Sequence, residues 1–271
     1  MAIALAEAGE VTLAYEETGP AGSPSGDALI LIAGGFMDMD QWHLQTGALS
    51  ANRRVIAFDQ RGNGQSSMPP GGYTVQQFAA DTIALIETLN AAPCILFGNS
   101  IGGLVALEIA MTKPELLHGL ICAACPVGLK GEPMPPETQM TMLRGAALPM
   151  DQATAALMDI LFETDYPDAH PELLDAAVEK RRTYPSPPLS LMGPLQSALA
   201  YDALDQLKEL SLPTLILHGD KDRIVPVGNA GILGDTIPNA TVTTVPGVGH
   251  ALVVEAADPV NEAVTAFLAA L

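Results

Sequence analysis

The sequence predicts an α/β fold in which a mostly parallel β-sheet is covered by helices on both faces. Six short runs of aliphatic and β-branched residues recur along the chain, and helix-like segments separate them. Such apolar runs are typical of strands that are covered on both faces, and their alternation with helices favours a parallel sheet. The length of 271 residues permits one large domain, or a core domain with an insertion.

The elements can be placed along the chain from the spacing of apolar residues. The predicted buried strands lie at 28–34, 54–59, 94–98, 118–124, 213–219 and 240–246. Residues 10–18 alternate between polar and apolar and predict an antiparallel strand at an edge of the sheet. Helical spacing predicts helices over 73–89, 101–112 and 251–270, which provide crossovers between parallel strands.

The alternation of strands and helices is interrupted between residues 127 and 205. This segment holds ten of the 22 prolines and six of the 11 methionines, and it contains no convincing strand. Its helix-like pieces lie at 137–147, 150–163, 171–182 and 194–204. We therefore expect an α/β core formed by residues 1–126 and 206–271. We expect 127–205 to form a helical cap over the carboxyl ends of the strands, where ligands bind in such sheets.

Composition excludes several classes of partner. The chain has 31 acidic and 12 basic residues, and its formal charge of −19 would repel nucleic acid and anionic membranes. It has no apolar run of the ~20 residues that a membrane helix needs, and no basic segment begins it. We expect a cytoplasmic protein that acts on a small molecule. The sequence leaves the oligomeric state open.

Three cysteines bear on compartment and metal binding. Cys94, Cys122 and Cys125 lie in apolar segments, which is typical of buried thiols in a reducing compartment. Cys122 and Cys125 form a C-x-x-C pattern, but no second pair of Cys or His residues follows at zinc-binding spacing. We therefore predict neither a metal site nor a redox pair.

One serine stands where a strand is predicted to meet a helix. Ser100 lies in GNSIG, residues 98–102, between the strand at 94–98 and the helix at 101–112. G-x-S-x-G in this context predicts a strained turn that lifts the hydroxyl above the sheet edge, with small residues on either side. The positive end of the helix dipole faces negative charge that develops there. Ser100 is therefore predicted to be a nucleophile.

A serine nucleophile needs a base, and the base needs a carboxylate to orient it. His250 follows the predicted strand at 240–246 and precedes the last helix. Asp220 and Asp222 both follow the strand at 213–219. The spacing alone leaves both aspartates as candidates.

These motifs together resemble those of the α/β-hydrolase superfamily, and the resemblance covers essentially the whole chain. GNSIGG resembles the nucleophile elbow, HGDKDRIVP the acid loop, GVGH the histidine loop, and FDQRGNGQSS the glycine-rich turn after the fourth strand. The order Ser, Asp, His also agrees. The resemblance implies a Ser100, Asp222, His250 triad, with a lid after the sixth strand.

The resemblance also implies an oxyanion hole formed by the N–H groups of Ile101 and Gly35. Relatives commonly have His-Gly-x after the third strand and a tryptophan nine residues beyond the histidine. Here the loop reads Ala33-Gly34-Gly35, with Trp42 at that spacing. Ala33 cannot make the bracing hydrogen bond of that histidine. We expect Gly34, Phe36 and Trp42 to line the substrate pocket.

The implied activity is that of a serine hydrolase of the carboxylesterase or lactonase type, which needs no cofactor. The apolar, Met-rich cap indicates a small, largely apolar substrate. Two alternatives remain open. The elbow is similar to that of carbon–carbon hydrolases of aromatic degradation, and some proteins of this superfamily are weakly catalytic small-molecule receptors.

Overall fold

The computed structural model describes residues 2–20, 28–145 and 147–271, and these form a sheet of eight strands. The spatial order is β1-β2-β4-β3-β5-β6-β7-β8, in which β3 to β8 are parallel. The bounds are β1 (Ala4–Ala8), β2 (Val11–Thr18), β3 (Ala28–Ile32), β4 (Val55–Phe58), β5 (Cys94–Asn99), β6 (Leu117–Ala123), β7 (Thr214–Gly219) and β8 (Ala240–Val245). The predicted α/β fold with a mostly parallel sheet is confirmed.

Two edge assignments from the sequence are wrong. Strand β2 is antiparallel, as predicted, but it pairs with both β1 and β4, so β1 forms the edge. The short β1, with only two buried side chains, gave too weak a pattern to predict a strand. Strand β8 was expected to be covered on both faces, yet it is the opposite edge and most of its side chains are exposed or half-buried. Its threonines suit that partly solvated position.

Helices cover both faces of the sheet. Their bounds are α1 (Thr46–Leu49), α2 (Val75–Thr88), α3 (Ile101–Thr112), α4 (Pro136–Gly145), α5 (Met150–Leu161), α6 (Tyr166–Ala169), α7 (Glu172–Thr183), α8 (Pro188–Leu199), α9 (Gly228–Thr236), α10 (Leu252–Glu255) and α11 (Ala257–Ala270). The start of α2 is fixed by Thr74, whose hydroxyl accepts a hydrogen bond from the Gln77 N–H. None of the helices in the described ranges is long and apolar enough to cross a membrane.

The alternation of side chains along the central strands divides the core in two. Ile30 and Ile32 belong to the cluster that also holds the apolar faces of α2 and α3. Leu29 and Leu31 belong to the opposite cluster, with residues of α10 and α11. The central strands β3 to β6 are therefore buried on both faces, which is why the sequence shows them as continuous apolar runs.

Helices α4 to α8 lie between β6 and β7, in the segment where the sequence predicted a helical insertion. The last of them differs from the predicted 194–204, because α8 begins at Pro188 and contains Pro194. Proline is well tolerated in the first turn of a helix, so Pro188 begins the helix that we expected to start later. The predicted helix 137–147 is observed as α4, and residue 146 lies outside the described residues.

The glycine-rich turn after β4 is held by two buried carboxylates. Asp59 accepts hydrogen bonds from the Met39 N–H at 2.9 Å and the Gln65 N–H at 2.8 Å. Arg61 donates two hydrogen bonds to Asp81 of α2, at 2.5 and 2.6 Å. The side chains of Arg61 and Asp81 are at most 5% exposed, so each provides the counter-charge that the other needs in order to be buried while charged.

We predict that Asp81→Ala lowers the free energy of unfolding by about 3–5 kcal/mol, because Arg61 would remain buried without a counter-charge. Denaturation in urea measures this loss. Glu115→Ala is the matched control, since it removes an exposed ion pair with Lys113 and should cost no more than about 1 kcal/mol. Equal losses in the two variants would contradict the account.

We also predict a pH-dependent contribution from Asp59. Burial, partly offset by hydrogen bonds from Gln65 and Met39, raises the pKa of Asp59 to about 6. The folded protein therefore binds more protons here than the unfolded chain between about pH 4 and 6, and stability falls as pH rises through that window. The free energy of unfolding of the wild type, minus that of Asp59→Asn, should fall by roughly 2–3 kcal/mol between those pH values. A flat difference would show that folding leaves the pKa of Asp59 unchanged, a rising one that folding lowers it, and either would contradict the prediction.

Candidate active site

Ser100 occupies a strained turn between β5 and α3, as the motif predicted. Its φ of 54° and ψ of −121° place a residue with a side chain in a region that favours glycine. The Ser100 N–H donates a hydrogen bond of 2.7 Å to the Ala123 carbonyl of β6. Ser100 thus follows the carboxyl end of β5 directly, and α3 begins at the next residue.

The glycines beside Ser100 allow the helix to approach the sheet. A Cβ atom on Gly98 would lie 2.1 Å from the Gly102 carbonyl oxygen. A Cβ atom on Gly102 would lie 2.2 Å from the carbonyl oxygen of Ile32 in β3. Both distances are far below van der Waals contact, so only glycine fits these positions without moving the backbone. The G-x-S-x-G pattern is therefore a packing requirement.

Asp222 and His250 form a hydrogen-bonded pair. The His250 Nδ1 atom lies 2.7 Å from Asp222 Oδ2, and both residues are buried. The other carboxylate oxygen of Asp222 accepts the N–H groups of Ile224 and Val225, each at 2.8 Å. Asp220 instead accepts the Gly247 N–H at 2.6 Å. Of the two aspartates that the spacing left open, Asp222 is the one that contacts His250.

The surroundings of Asp222 keep its carboxylate ionised. Burial by itself would raise its pKa, but attraction to His250 and hydrogen bonds from His218 and His250 outweigh this and lower the pKa well below its usual range. An ionised Asp222 holds the proton of His250 on Nδ1. The other ring nitrogen, Nε2, is then free to accept a proton.

The parallel sheet brings Ser100, Asp222 and His250 to one edge, because each follows the carboxyl end of a parallel strand. Within the described part of the chain, the Ser100 hydroxyl makes no hydrogen bond to His250. Hydrogen bonds of this kind are often long without substrate and tighten when it binds.

The loop after β3 lies against the turn at Ser100. A Cβ atom on Gly34 would lie 3.3 Å from Ser100 Cβ, and one on Gly35 would lie 2.9 Å from Ile101 Cδ1. Ile101 is the first residue of α3, and the first N–H groups of a helix have no acceptor within it. The loop and the helix start are therefore neighbours, as the resemblance implied.

Side chains that we did not predict brace this loop in place of the histidine that Ala33 replaces. The Gly34 N–H donates to Gln41 Oε1 at 3.0 Å, and Gln60 Nε2 donates to the Ala33 carbonyl at 2.8 Å. Gln60 lies in the glycine-rich turn after β4, beside Asp59. The motif FDQRGNGQSS predicted the glycine-rich turn itself. The motif does not indicate that this turn contacts the loop after β3.

The two aromatic residues assigned to the pocket occupy different environments. Phe36, next to Gly35 in the loop after β3, is half-buried and has a φ of 66°. Trp42 is fully buried and packs against Phe97 of β5, with ring centroids 4.7 Å apart. The expectation that Trp42 lines the substrate pocket is wrong, because its side chain has no surface open to a ligand.

The end of α5 is bonded to the loops that carry Asp222 and His250. The Ala251 N–H donates to the Leu161 carbonyl at 2.9 Å, and Arg223 donates to the Phe162 carbonyl at 3.0 Å. Glu255 accepts the Thr164 N–H at 2.7 Å and the Gly249 N–H at 2.8 Å. We did not predict the role of Glu255, whose two oxygens join the segment after α5 to the loop that carries His250.

A second contact joins the insertion to the loop after β3. Lys180 of α7 forms an ion pair of 3.0 Å with Asp38 and a further one with Asp40. Asp38 also accepts the Asp40 N–H at the start of the short helical turn Met39–Trp42. Helices α5 and α7 are thus bonded to loops on different sides of Ser100.

Comparisons with known proteins identify the family to which this chain belongs. Residues 29–263 match the model of the Alpha/beta hydrolase family. A putative carbamate hydrolase RutD of Stutzerimonas stutzeri is 29% identical over 244 residues, which cover 88% of this chain and 90% of the relative.

Two solved structures have the same fold over nearly their whole length. A thermophilic esterase from Thermogutta terrifontis is 27% identical, with a TM-score of 0.81 over 99% of this chain and 98% of the esterase. An N-acyl homoserine lactone degrading enzyme is 25% identical, with a TM-score of 0.82 over 97% of this chain and 100% of that enzyme. With a family match over most of its length, this chain belongs to the alpha/beta hydrolase family and is a hydrolase.

Proposed function

We propose that the protein is a serine hydrolase that cleaves an ester or lactone bond of a small, largely apolar substrate through an acyl-enzyme. The observation that carries this proposal is the oriented pair of His250 and Asp222, at the sheet edge where Ser100 immediately precedes α3. A buried carboxylate that orients an imidazole beside a strained serine is the arrangement that activates a hydroxyl nucleophile.

Acylation begins when His250 Nε2 takes the proton of the Ser100 hydroxyl as its oxygen attacks the substrate carbonyl. The carbonyl π bond breaks, and its electron pair moves to the oxygen to give a tetrahedral oxyanion. The ionised Asp222 stabilises the imidazolium through the Nδ1–H hydrogen bond of 2.7 Å.

The oxyanion would be held by the N–H groups of Gly35 and Ile101. Gly35 lies against the Ile101 side chain, and Ile101 starts α3, whose N-terminal dipole end also favours negative charge. The bonds from Gln41 and Gln60 to residues 33 and 34 fix the loop before substrate binds. Such donors lower the barrier because they need no reorganisation during the reaction.

The tetrahedral intermediate collapses when its carbon–oxygen bond to the leaving alcohol breaks and the imidazolium of His250 donates its proton to that oxygen. Water then attacks the acyl-enzyme, with His250 as the base, and the carboxylic acid leaves as Ser100 regains its proton. No cofactor takes part in this sequence.

Residues 127–205 are proposed to form a cap over this edge, with 1–126 and 206–271 as the core. The bonds from the end of α5 to the loops of Asp222 and His250, and from α7 to Asp38, support this division. Phe36 and Gly34 would lie at the acyl site, since the Gly34 backbone approaches Ser100 closely and Phe36 follows in the same loop. The cytoplasmic location remains a prediction.

A carbon–carbon hydrolase is the second candidate, favoured by the sequence around the nucleophile. A bulky residue, Ile101, follows Ser100 and is itself followed by two glycines, as in hydrolases of aromatic ring-cleavage products. That reaction would use the same serine and histidine on a carbonyl next to a carbon–carbon bond. Turnover of a product of aromatic ring cleavage, measured beside the esters, separates the two activities.

We predict that Ser100→Ala lowers kcat for p-nitrophenyl esters by about 10⁴-fold or more, because the nucleophile is removed. Phenolate release from a panel of acetate to decanoate esters measures this and gives the chain length that fits best. Ser211→Ala, an exposed serine just before β7, is the matched control and should keep wild-type turnover. Near-wild-type turnover in Ser100→Ala would refute the assignment.

We predict that Asp222→Asn lowers kcat by about 10³–10⁴-fold, because the amide no longer holds the His250 proton on Nδ1. Asp220→Asn is the matched control, since its side-chain oxygen can still accept the Gly247 N–H, and its kcat should stay within about threefold of wild type. Loss of activity in Asp220→Asn but not in Asp222→Asn would show that Asp222 is not the acid of the triad. Tight ligand binding without turnover in the wild type would favour the receptor alternative.

A further inference from the structure

A second histidine contacts the carboxylate of Asp222 from inside the sheet. His218 lies in β7, one residue before its end, and its side chain is fully buried. Its Nε2 atom lies 2.8 Å from the Val225 carbonyl oxygen and 3.3 Å from Asp222 Oδ2. A single ring nitrogen therefore contacts the loop that carries Asp222 at two residues, Asp222 and Val225.

The partners of His218 fix which nitrogen carries hydrogen. The carbonyl of Val225 can only accept, so Nε2 must donate. The other nitrogen, Nδ1, is buried and has no hydrogen-bond partner among the described residues. A proton on Nδ1 would be a buried donor without an acceptor, which is costly. His218 is therefore assigned the neutral tautomer with its N–H on Nε2, which donates to the Val225 carbonyl and lies 3.3 Å from Asp222 Oδ2.

We propose that His218 is a positioning residue for the Asp222–His250 pair. His218 Nε2 and His250 Nδ1 both contact Asp222 Oδ2, at 3.3 and 2.7 Å, while the N–H groups of Ile224 and Val225 hold Oδ1. The N–H of His218 partly offsets the negative charge on Oδ2. Asp222 therefore stabilises the protonated form of His250 less than it would without His218. The role rests on the proposed triad, because the pair that it positions is the proposed base and its acid.

The other charged side chains of these loops have different partners. Asp220 accepts the Gly247 N–H, and Arg223 pairs with Glu163 at 3.4 Å. Glu255, five residues after His250, accepts the Gly249 N–H. Among the described residues, Asp222 thus contacts two ionisable side chains, His218 and His250, and these two groups act on its charge.

The test compares three substitutions of His218. Gln places its amide N–H near the position of Nε2, whereas Asn has the same amide one carbon shorter, and Leu has no donor. The titration of His250 is followed by NMR with ¹³Cε1-labelled histidine, in which the five histidines are assigned from single substitutions. We expect the midpoint of His250 to rise by about one pH unit in His218→Leu and His218→Asn, because Oδ2 loses a donor to a charged group. In His218→Gln it should stay within a few tenths of a unit of the wild type.

A structural role alone would give a different pattern. All three variants would then have a lower melting temperature, with no change in the His250 midpoint or in the acid limb of kcat/KM, and this result would overturn the proposal. The wild type gives a test that needs no variant, since ¹⁵N chemical shifts at neutral pH must show His218 protonated on Nε2 alone. Protonation on Nδ1 would also overturn it.

The NMR readout separates this proposal from the proposed function. It requires no substrate, so a protein that hydrolyses none of the esters can still show the shift of His250 on losing the His218 donor. Conversely, ester hydrolysis by the wild type could be found together with an unchanged His250 midpoint in His218→Leu. That result would refute the positioning role of His218 and leave the proposed triad intact.

Discussion

The close packing of α3 against strands β3 and β5 is the constraint on which the rest of the site depends. The carbonyl oxygen of Ile32 occupies the space that a side chain at position 102 would need, and that of Gly102 the space needed at position 98. Only glycine fits these two positions. This approach forces Ser100 into its strained conformation and sets the N-terminus of α3 beside it. Since β3, β7 and β8 run parallel to β5, the loops that follow them reach the same edge.

Two buried aspartates at this edge show how surroundings set the charge of one residue type. Asp59 receives backbone N–H groups, and burial still raises its pKa to about 6. Asp222 is also buried, but attraction to His250 and the donors around it lower its pKa. Hydrogen bonds from the backbone alone do not offset the loss of solvent, whereas an adjacent imidazole does. Asp59 is thus suited to bracing a loop, and Asp222 to stabilising a cation next to it.

The fold and the candidate triad residues could be predicted because their signals are local. A buried parallel strand is a continuous apolar run, and the turns at Ser100, Asp222 and His250 are short motifs at the ends of such runs. The bracing residues could not be predicted in the same way. Gln60 and Ala33 are 27 residues apart, and Glu255 and Thr164 are 91 apart, so their contacts exist only once the sheet has formed. Trp42 was misplaced because its spacing predicts its position in the chain and not the side to which it points.

The nucleophile is the central claim, and covalent labelling tests it most directly. The protein would be treated with a fluorophosphonate, which reacts with activated serines, and the modified residue located by peptide mass spectrometry. The account predicts one phosphonyl group for each chain, on Ser100, with ester hydrolysis lost in proportion to labelling. Labelling should be far slower in His250→Gln, which lacks the base. Ester hydrolysis that continues while Ser100 is fully labelled, or a label on another residue that abolishes it, would contradict the account.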